Sequence, residues 1–285
     1  MQKNTLSNGL LEVDYLVQGG LRIVGLRLAG DERNILAELP GLGWDTPYGR
    51  FHLMGGHRLW HAPEDAQRTY VPDAEQVQVV LLGSDAVRLG QAVEEPTKIR
   101  KEIEIRLLRD KPEVQITHRL FNEGLWSVEL APWAITQLIL GGVVVLPQPP
   151  LNAGLQPNRS LVLWPYTHLG DERLVGERSF WAVRAKSNPK PMKVGYYDAL
   201  GWVGYWVNGL WLVKRFDVFP VKEYPDLGAN VEVYCNDRFV ELETLGRLEQ
   251  VPPGAVAEHR ETWQLSSSPA ANETDFLNQL TESGV

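Results

Sequence analysis

Glu241 and Glu243 stand two residues apart in the segment NDRFVELETLG (236–246). On an extended strand this spacing projects both carboxylates from one face together with Phe239, while Val240, Leu242 and Thr244 take the other. Neighbouring carboxyls raise one another's proton affinity, so an enclosed pair can divide proton handling between a base and a hydrogen-bond acceptor. The same spacing also fits a solvated strand face whose acids pair with Arg238 or Arg247.

A second group lies in RFHLMGGHRLWHAPE (50–64), where His52, His57, Arg58, Trp60, His61 and Glu64 crowd around Gly55 and Gly56. Paired glycines permit a sharp turn or a close approach of backbone to a ligand, and the residues around them supply donors, an acid and an indole. A loop serving a site is one reading; a solvated loop with Trp60 tucked into the core is the other. The His57-to-His61 spacing is that of a helical zinc pair, but Pro63 and the glycines argue against a helix, so no metal is expected. In VELAPWAITQLILGG (128–142), Trp133 and Gln137 share one face of a strand, which sets a stacking surface beside an amide, unless Trp133 is core and Gln137 faces solvent. Lys214 sits among apolar neighbours in LWLVKRF (210–216), as a buried ligand or as an edge residue with its charge in water.

The elements that must position these groups are strands. Alternating or β-branched runs such as LRIVGLRL (21–28), TKIRKEIEIRLLR (97–109), EVQITHRLF (113–121) and AEHRETWQL (257–265) are separated by turn signals such as Asn208-Gly209 and Pro252-Pro253-Gly254. In the strip from Thr97 to Leu108, Ile99, Ile103 and Ile105 share one parity with Lys101, and Arg100, Glu102, Glu104 and Arg106 form a charged outer face. A dozen or more short strands with almost no helix predict an all-β fold, a large antiparallel sandwich in one domain over residues 1–265. Residues 266–285 read as a polar tail with a short helix near 272–282.

Composition narrows the function classes. The 285 residues are 44% hydrophobic and 22% charged, as in a globular chain with a substantial core, and the net charge of −8 disfavours nucleic acid or an anionic membrane as a partner. The lone Cys235 excludes an intramolecular disulfide and a cysteine-based zinc site. No leader-like N-terminus and no membrane-length apolar run is present, so a cytoplasmic location is expected. Ten tryptophans against seven phenylalanines exceed what packing alone requires.

GGHRLWHAPE, ITHRLFNEG with APWAITQL, FVELETLG and PPGAVAEHRETWQL, in this order, resemble the galactose mutarotase-like proteins, and more narrowly a domain-of-unknown-function branch related to aldose 1-epimerases. The likeness spans about Gly41 to Leu265. It implies a super-sandwich with a carbohydrate cleft on the concave sheet, a hexose ligand and no cofactor. Glu243-Thr244, ahead of Pro253-Gly254 and the ETWQL strand, matches the family's catalytic glutamate, with Glu241 as the neighbouring alternative. Gly55 and Gly56, with His52 or His57, resemble its early Gly-Gly loop. Where mutarotases carry an Asn-His motif, this chain reads APWAITQ, and Gln137 cannot act as a general acid.

Mutarotation needs a base at the anomeric hydroxyl and an acid at the ring oxygen. The resemblance therefore implies Glu243 as base and His57 or His168 as acid, with Arg58, Gln137 and Lys214 among the hydroxyl ligands. His61, Glu64 and Glu241 complete the expected polar set, and Trp60, Trp133 and Trp164 the stacking surface for a sugar's C–H face. A sugar-binding protein without catalysis and a structural accessory domain are the competing classes; oligomeric state is not read from these residues.

Overall fold

In the computed structural model, which describes residues 2–150 and 154–283, two ten-stranded sheets and one small hairpin account for the architecture. The strand Ile99–Leu107 shows how sequence sets it. Ile99, Ile103, Ile105 and Leu107 are buried, and burying each such side chain contributes about 1.5–3 kcal/mol. Lys101, on the same face, is paired with buried Glu94 at 2.5 Å. Glu102 and Glu104, on the outer face, meet Arg119 of the neighbouring strand at 3.0 and 3.2 Å.

The first sheet runs, in spatial order, Lys3–Ser7, Leu11–Leu16, Ile23–Leu28, His57–Ala62, Val128–Leu138, Val240–Leu245, Val231–Cys235, Met192–Tyr196 and Val162–Leu163. Glu249–Val251 pairs beside Val128–Leu138. The second runs Leu174–Gly176, Phe180–Arg184, Val143–Pro147, Trp202–Val207, Leu210–Phe216, Val256–Ser267, Glu113–Asn122, Ile99–Leu107, Ala86–Gly90 and Gln78–Leu81. All pairings between named strands are antiparallel, and the inner faces share one apolar core, from Leu11 and Ile23 to Leu212 and Trp263. The expected sandwich is the observed one.

One part differs from expectation. Residues 50–62 are not a loop: a hairpin of Glu38–Thr46 with Gly49–Gly55 leads directly into the central strand His57–Ala62. Gly55 and Gly56, at φ 90° and 71°, let the chain cross other backbone, since a Cβ there would lie 2.1 Å from the Ala37 carbonyl oxygen and 2.2 Å from that of Ile23. The tail carries the expected short helix and docks it on the second sheet. Its helix, Glu273–Ser283, buries Phe276 against Trp206 and Trp211, with ring centroids 5.6 and 4.8 Å apart. No helix among the described residues is long and apolar enough to cross a membrane.

Candidate active site

Strand register brings the chemistry together on the outer face of the first sheet. Ile135 stands between Arg58 and Glu243, and Glu243 is followed across the sheet by Glu232 and Gly195. The adjoining row reads Gln137, Glu241, Tyr234 and Lys193, and Trp60 pairs with Trp133. Side chains two residues apart along a strand reach one another diagonally across such rows. Trp133 Nε1 thus donates to Glu243 Oε2 at 2.6 Å, and Arg58 Nη2 to Glu241 Oε1 at 3.0 Å.

Of these, Arg58, Trp60, Trp133, Ile135, Tyr234, Lys193 and Glu241 border a cleft of about 230 Å³, small beside the roughly 300–1,000 Å³ of pockets for drug-sized ligands, and Gln137, Glu232 and Glu243 lie outside its lining. Arg58, Trp60, Trp133, Lys193 and Glu241 line its sheet side, and Trp44, Tyr70, Tyr166 and Phe239 complete an aromatic wall. The hairpin contributes Trp44 and Leu53; the segment after Ala62 contributes Glu64 and Tyr70, whose hydroxyl donates to Glu64.

The two glutamates of FVELET occupy different places. Glu241 lines the cleft, and its Oε1 accepts from both Arg58 and Gln137 Nε2, the latter at 2.9 Å. Burial pushes its pKa up, against the pull of Arg58. Glu243 is fully buried behind Trp133 and Lys193. Its Oε2 accepts from Trp133 and from Lys193 Nζ at 3.0 Å, and its Oε1 has no partner among the described residues.

Lys193 is the group that sequence reasoning missed. Its ammonium lies 2.6 Å from Glu232 Oε2 and over the rings of Trp133 and Trp164, at 4.6 and 4.8 Å from the centroids. Gly195 makes room for Trp164, whose ring approaches to 3.2 Å of where a Cβ would be. Burial works against the charge on Lys193, but Glu232 and Glu243 more than offset it and hold its pKa well above the ordinary lysine value. Burial raises Glu232 well above the carboxylate range against the pull of Lys193, and Glu243 and Asp226 reinforce the rise. The only signal in the sequence was alternation in MKVGYY, where Lys193 shares parity with Gly195.

His57 and Lys214, expected at the sugar, lie on the opposite side of the sheet. One residue of parity decides this, because His57, Leu59 and His61 face inward when Arg58 and Trp60 face out. His57 joins Thr136 and Thr244 from the first sheet and His118, Lys214, His259, Glu261 and Trp263 from the second in a buried polar network. Only one proton assignment satisfies it. His118 Nδ1 donates to the His259 carbonyl at 3.1 Å, so its Nε2 accepts from His57 Nε2 at 2.7 Å. His57 Nδ1 then accepts from Thr136 Oγ1 at 3.0 Å, and Thr136 in turn accepts from Lys214 Nζ at 2.9 Å. Thr244 Oγ1 donates to Glu261 Oε1 at 2.5 Å and accepts from His259 Nε2 at 2.7 Å, while Lys214 pairs with Glu261 at 2.8 Å. His57, His118 and Glu261 approach within 4.8 Å, as metal ligands do, but the Lys214 ammonium already occupies the charge-balancing place beside Glu261.

His61 is also buried between the sheets, with neither ring nitrogen partnered among the described residues. His168 is exposed on a loop, where its Nδ1 accepts from the Gly170 amide at 3.0 Å, and His52 is exposed on the hairpin. Among the described residues no histidine lines the cleft.

The buried histidines make stability pH-dependent. Burial lowers His61 to about 3, His118 to about 4 and His259 to about 3, and His57 falls well below 6.5 through burial and the adjacent His118. Between pH 6.5 and about 4 the unfolded chain therefore holds more protons. The stability these neutral rings contribute is full above 6.5 and falls with acidification, by about 1.4 kcal/mol per pH unit for each ring. Buried carboxyls such as Asp198, pushed up to about 7 by burial, oppose the trend. The discriminating comparison is thus His61→Leu, which should lose less stability than wild type between pH 6.5 and 4.5 in urea titrations. Equal losses would contradict the assignment of a neutral, unpartnered ring.

No protein-family profile matches the chain, and no curated protein matches it in sequence. Solved structures do match, and they define the class: the two-sheet sandwich is a galactose mutarotase-like fold. The chain is similar to a galactose mutarotase-like protein from Lactobacillus casei ATCC 334, at 9% identity and TM-score 0.60, over 93% of this chain and all (100%) of that one. It is similar to Slr1438 from Synechocystis sp. PCC 6803 at 12% identity and TM-score 0.59, covering 94% and 96% of the two chains. An Escherichia coli K12 protein provisionally described as an aldose 1-epimerase matches at 12% identity and TM-score 0.51, covering 93% and 99%. What is shared at these identities is the backbone arrangement.

Proposed function

We propose that the cleft binds a monosaccharide and that the protein interconverts its anomers as an aldose 1-epimerase. The observation that carries this reading is Glu243: a buried carboxylate directly behind Trp133 and Lys193 of the cleft wall, fixed through one oxygen by these two side chains, with the other oxygen unpartnered among the described residues. Glu243 Oε1 takes the proton of the anomeric hydroxyl, the bond from the anomeric carbon to the ring oxygen opens, and the aldehyde recloses on either face. Arg58 and Gln137 offer further hydrogen bonds, since Arg58 Nε and Nη1 and Gln137 Oε1 have no partner among the described residues. The cleft volume suits one sugar ring. Among the residues lining the cleft, Glu64 and Glu241 match Arg58 and Lys193 in number, so no net cationic field selects a sugar phosphate over a neutral hexose.

Polarimetry of freshly dissolved hexoses, with and without the protein, tests the activity. Sugar-dependent indole fluorescence without rate enhancement would leave a binding protein, and neither signal would sink the sugar reading. Trp60→Ala should weaken hexose binding by about 1–3 kcal/mol, roughly 5- to 150-fold, whereas Trp263→Phe, whose ring lies in the core, should leave the affinity of folded protein near wild type. Equal effects of the two substitutions would contradict stacking in the cleft.

A further inference from the structure

We infer that Lys193 is the catalytic acid, delivering the proton to the ring oxygen in the place where the sequence pointed to histidines; this rests on the reading of the cleft as a sugar site. Three observations converge. Lys193 lines the cleft, whereas His57 and His61 are sealed between the sheets and His168 is on an exposed loop. Its ammonium lies 3.0 Å from Glu243, the proposed base. The anomeric hydroxyl and the ring oxygen are bonded to the same carbon, so the acid and base that serve them must themselves be neighbours. Glu232, 2.6 Å from the ammonium, and the indoles of Trp133 and Trp164 hold it in place; Glu232 is a positioning residue.

The proton balance closes without any outside reagent. On opening, Glu243 gains the anomeric hydroxyl proton, the carbon–oxygen ring bond breaks, and the ring oxygen takes a proton from Lys193. The products are the open-chain aldehyde, protonated Glu243 and neutral Lys193. After rotation about the bond to the carbonyl carbon, the chain hydroxyl attacks and returns its proton to Lys193, while Glu243 protonates the carbonyl oxygen. The sugar changes hand and the protein is restored. Glu232 and Glu243 stabilise the ammonium before the step and after it, which returns the lysine to its charged form at the end of each turnover.

Lys193→Arg separates charge from proton donation, because a guanidinium keeps its proton at any accessible pH. This variant should retain hexose binding and lose roughly 10²–10⁴-fold in kcat. Lys193→Ala should be equally slow, and methylammonium added to it should restore part of the rate, more so for amines of lower pKa, a response that a merely structural lysine would not produce. Wild-type kcat in Lys193→Arg, or Lys193→Ala that stays slow in every amine, would overturn the assignment while leaving the sugar reading intact. Absence of any rate enhancement by the wild-type protein would overturn both, and fluorescence binding would show whether a sugar site remained. Should Lys193→Arg fail to fold, the amine series on Lys193→Ala alone decides.

Discussion

Glu243→Gln is expected to lower the anomer-interconversion rate roughly 10²–10⁴-fold while changing hexose affinity only several-fold. The amide keeps the shape of the carboxylate and an oxygen for Trp133 Nε1, now 2.6 Å from Glu243 Oε2, and Lys193 keeps Glu232. What disappears is the ability to take a proton. The neighbouring Glu241→Gln should show the other pattern. Its Oε1 anchors Arg58 and Gln137 at the cleft wall, so removing its charge disturbs substrate placement and raises KM more than it lowers kcat. Initial rates by polarimetry across a hexose concentration series separate the two. An undiminished rate in Glu243→Gln would sink its assignment as base, and a kcat loss confined to Glu241→Gln would move that role two residues along the strand.

Lys214→Met should cost about 3–5 kcal/mol of stability and lower the melting temperature by roughly 10 °C, with hexose affinity of the folded protein unchanged. Lys214 and Glu261 are both fully buried, 2.8 Å apart. Burial works against the lysine's charge and pushes its pKa down, opposed by Glu261; burial also disfavours the carboxylate, yet Lys214 and the surrounding imidazoles keep it below its usual range. Removing the lysine leaves a buried carboxylate without its cation and takes a donor from Thr136 and from the Leu242 carbonyl. Replacing both partners, as in Lys214→Met with Glu261→Leu, should cost less than the sum of the single changes, which calorimetry on the four proteins would measure. A sugar-binding defect in Lys214→Met without loss of melting temperature would return Lys214 to the ligand set.

These outcomes separate two polar clusters that occupy opposite faces of the same strands. Val240–Leu245 carries both: Glu241 and Glu243 outward, Leu242 and Thr244 inward. That division was legible, because a strand alternates with period two and the segment is a strand. So were the sandwich and the Trp133–Gln137 face. The strand His57–Ala62 was harder. Glycines, histidines and a proline mimic a loop, and a residue pattern of mixed polarity on both faces hides the alternation. Taken as a loop, the segment groups His57 with Arg58, which a strand must place on opposite sides.

The tryptophans divide in the same manner. Trp60 and Trp133 line the cleft, as their neighbours in sequence suggested; Trp164, expected beside them, lies outside the lining and packs on the Lys193 ammonium, and Trp44 joins from the hairpin. Trp206 and Trp263 are buried packing residues, and Trp126 is exposed at a turn. No local feature distinguishes Trp44 from Trp126; the difference lies in which distant segment each one meets.

By itself the sequence determined the strand periodicity, the antiparallel sandwich and the pairing of two carboxylates on one face, because these follow from local alternation and short turns. Only the tertiary structure decided that Lys193, fifty residues before Glu243, is its partner and that His57 and His61 belong to the space between the sheets. The physical reason is register: which side chains meet across a sheet depends on how strands distant in sequence align, and a single residue of parity carries a side chain from the cleft to the space between the sheets.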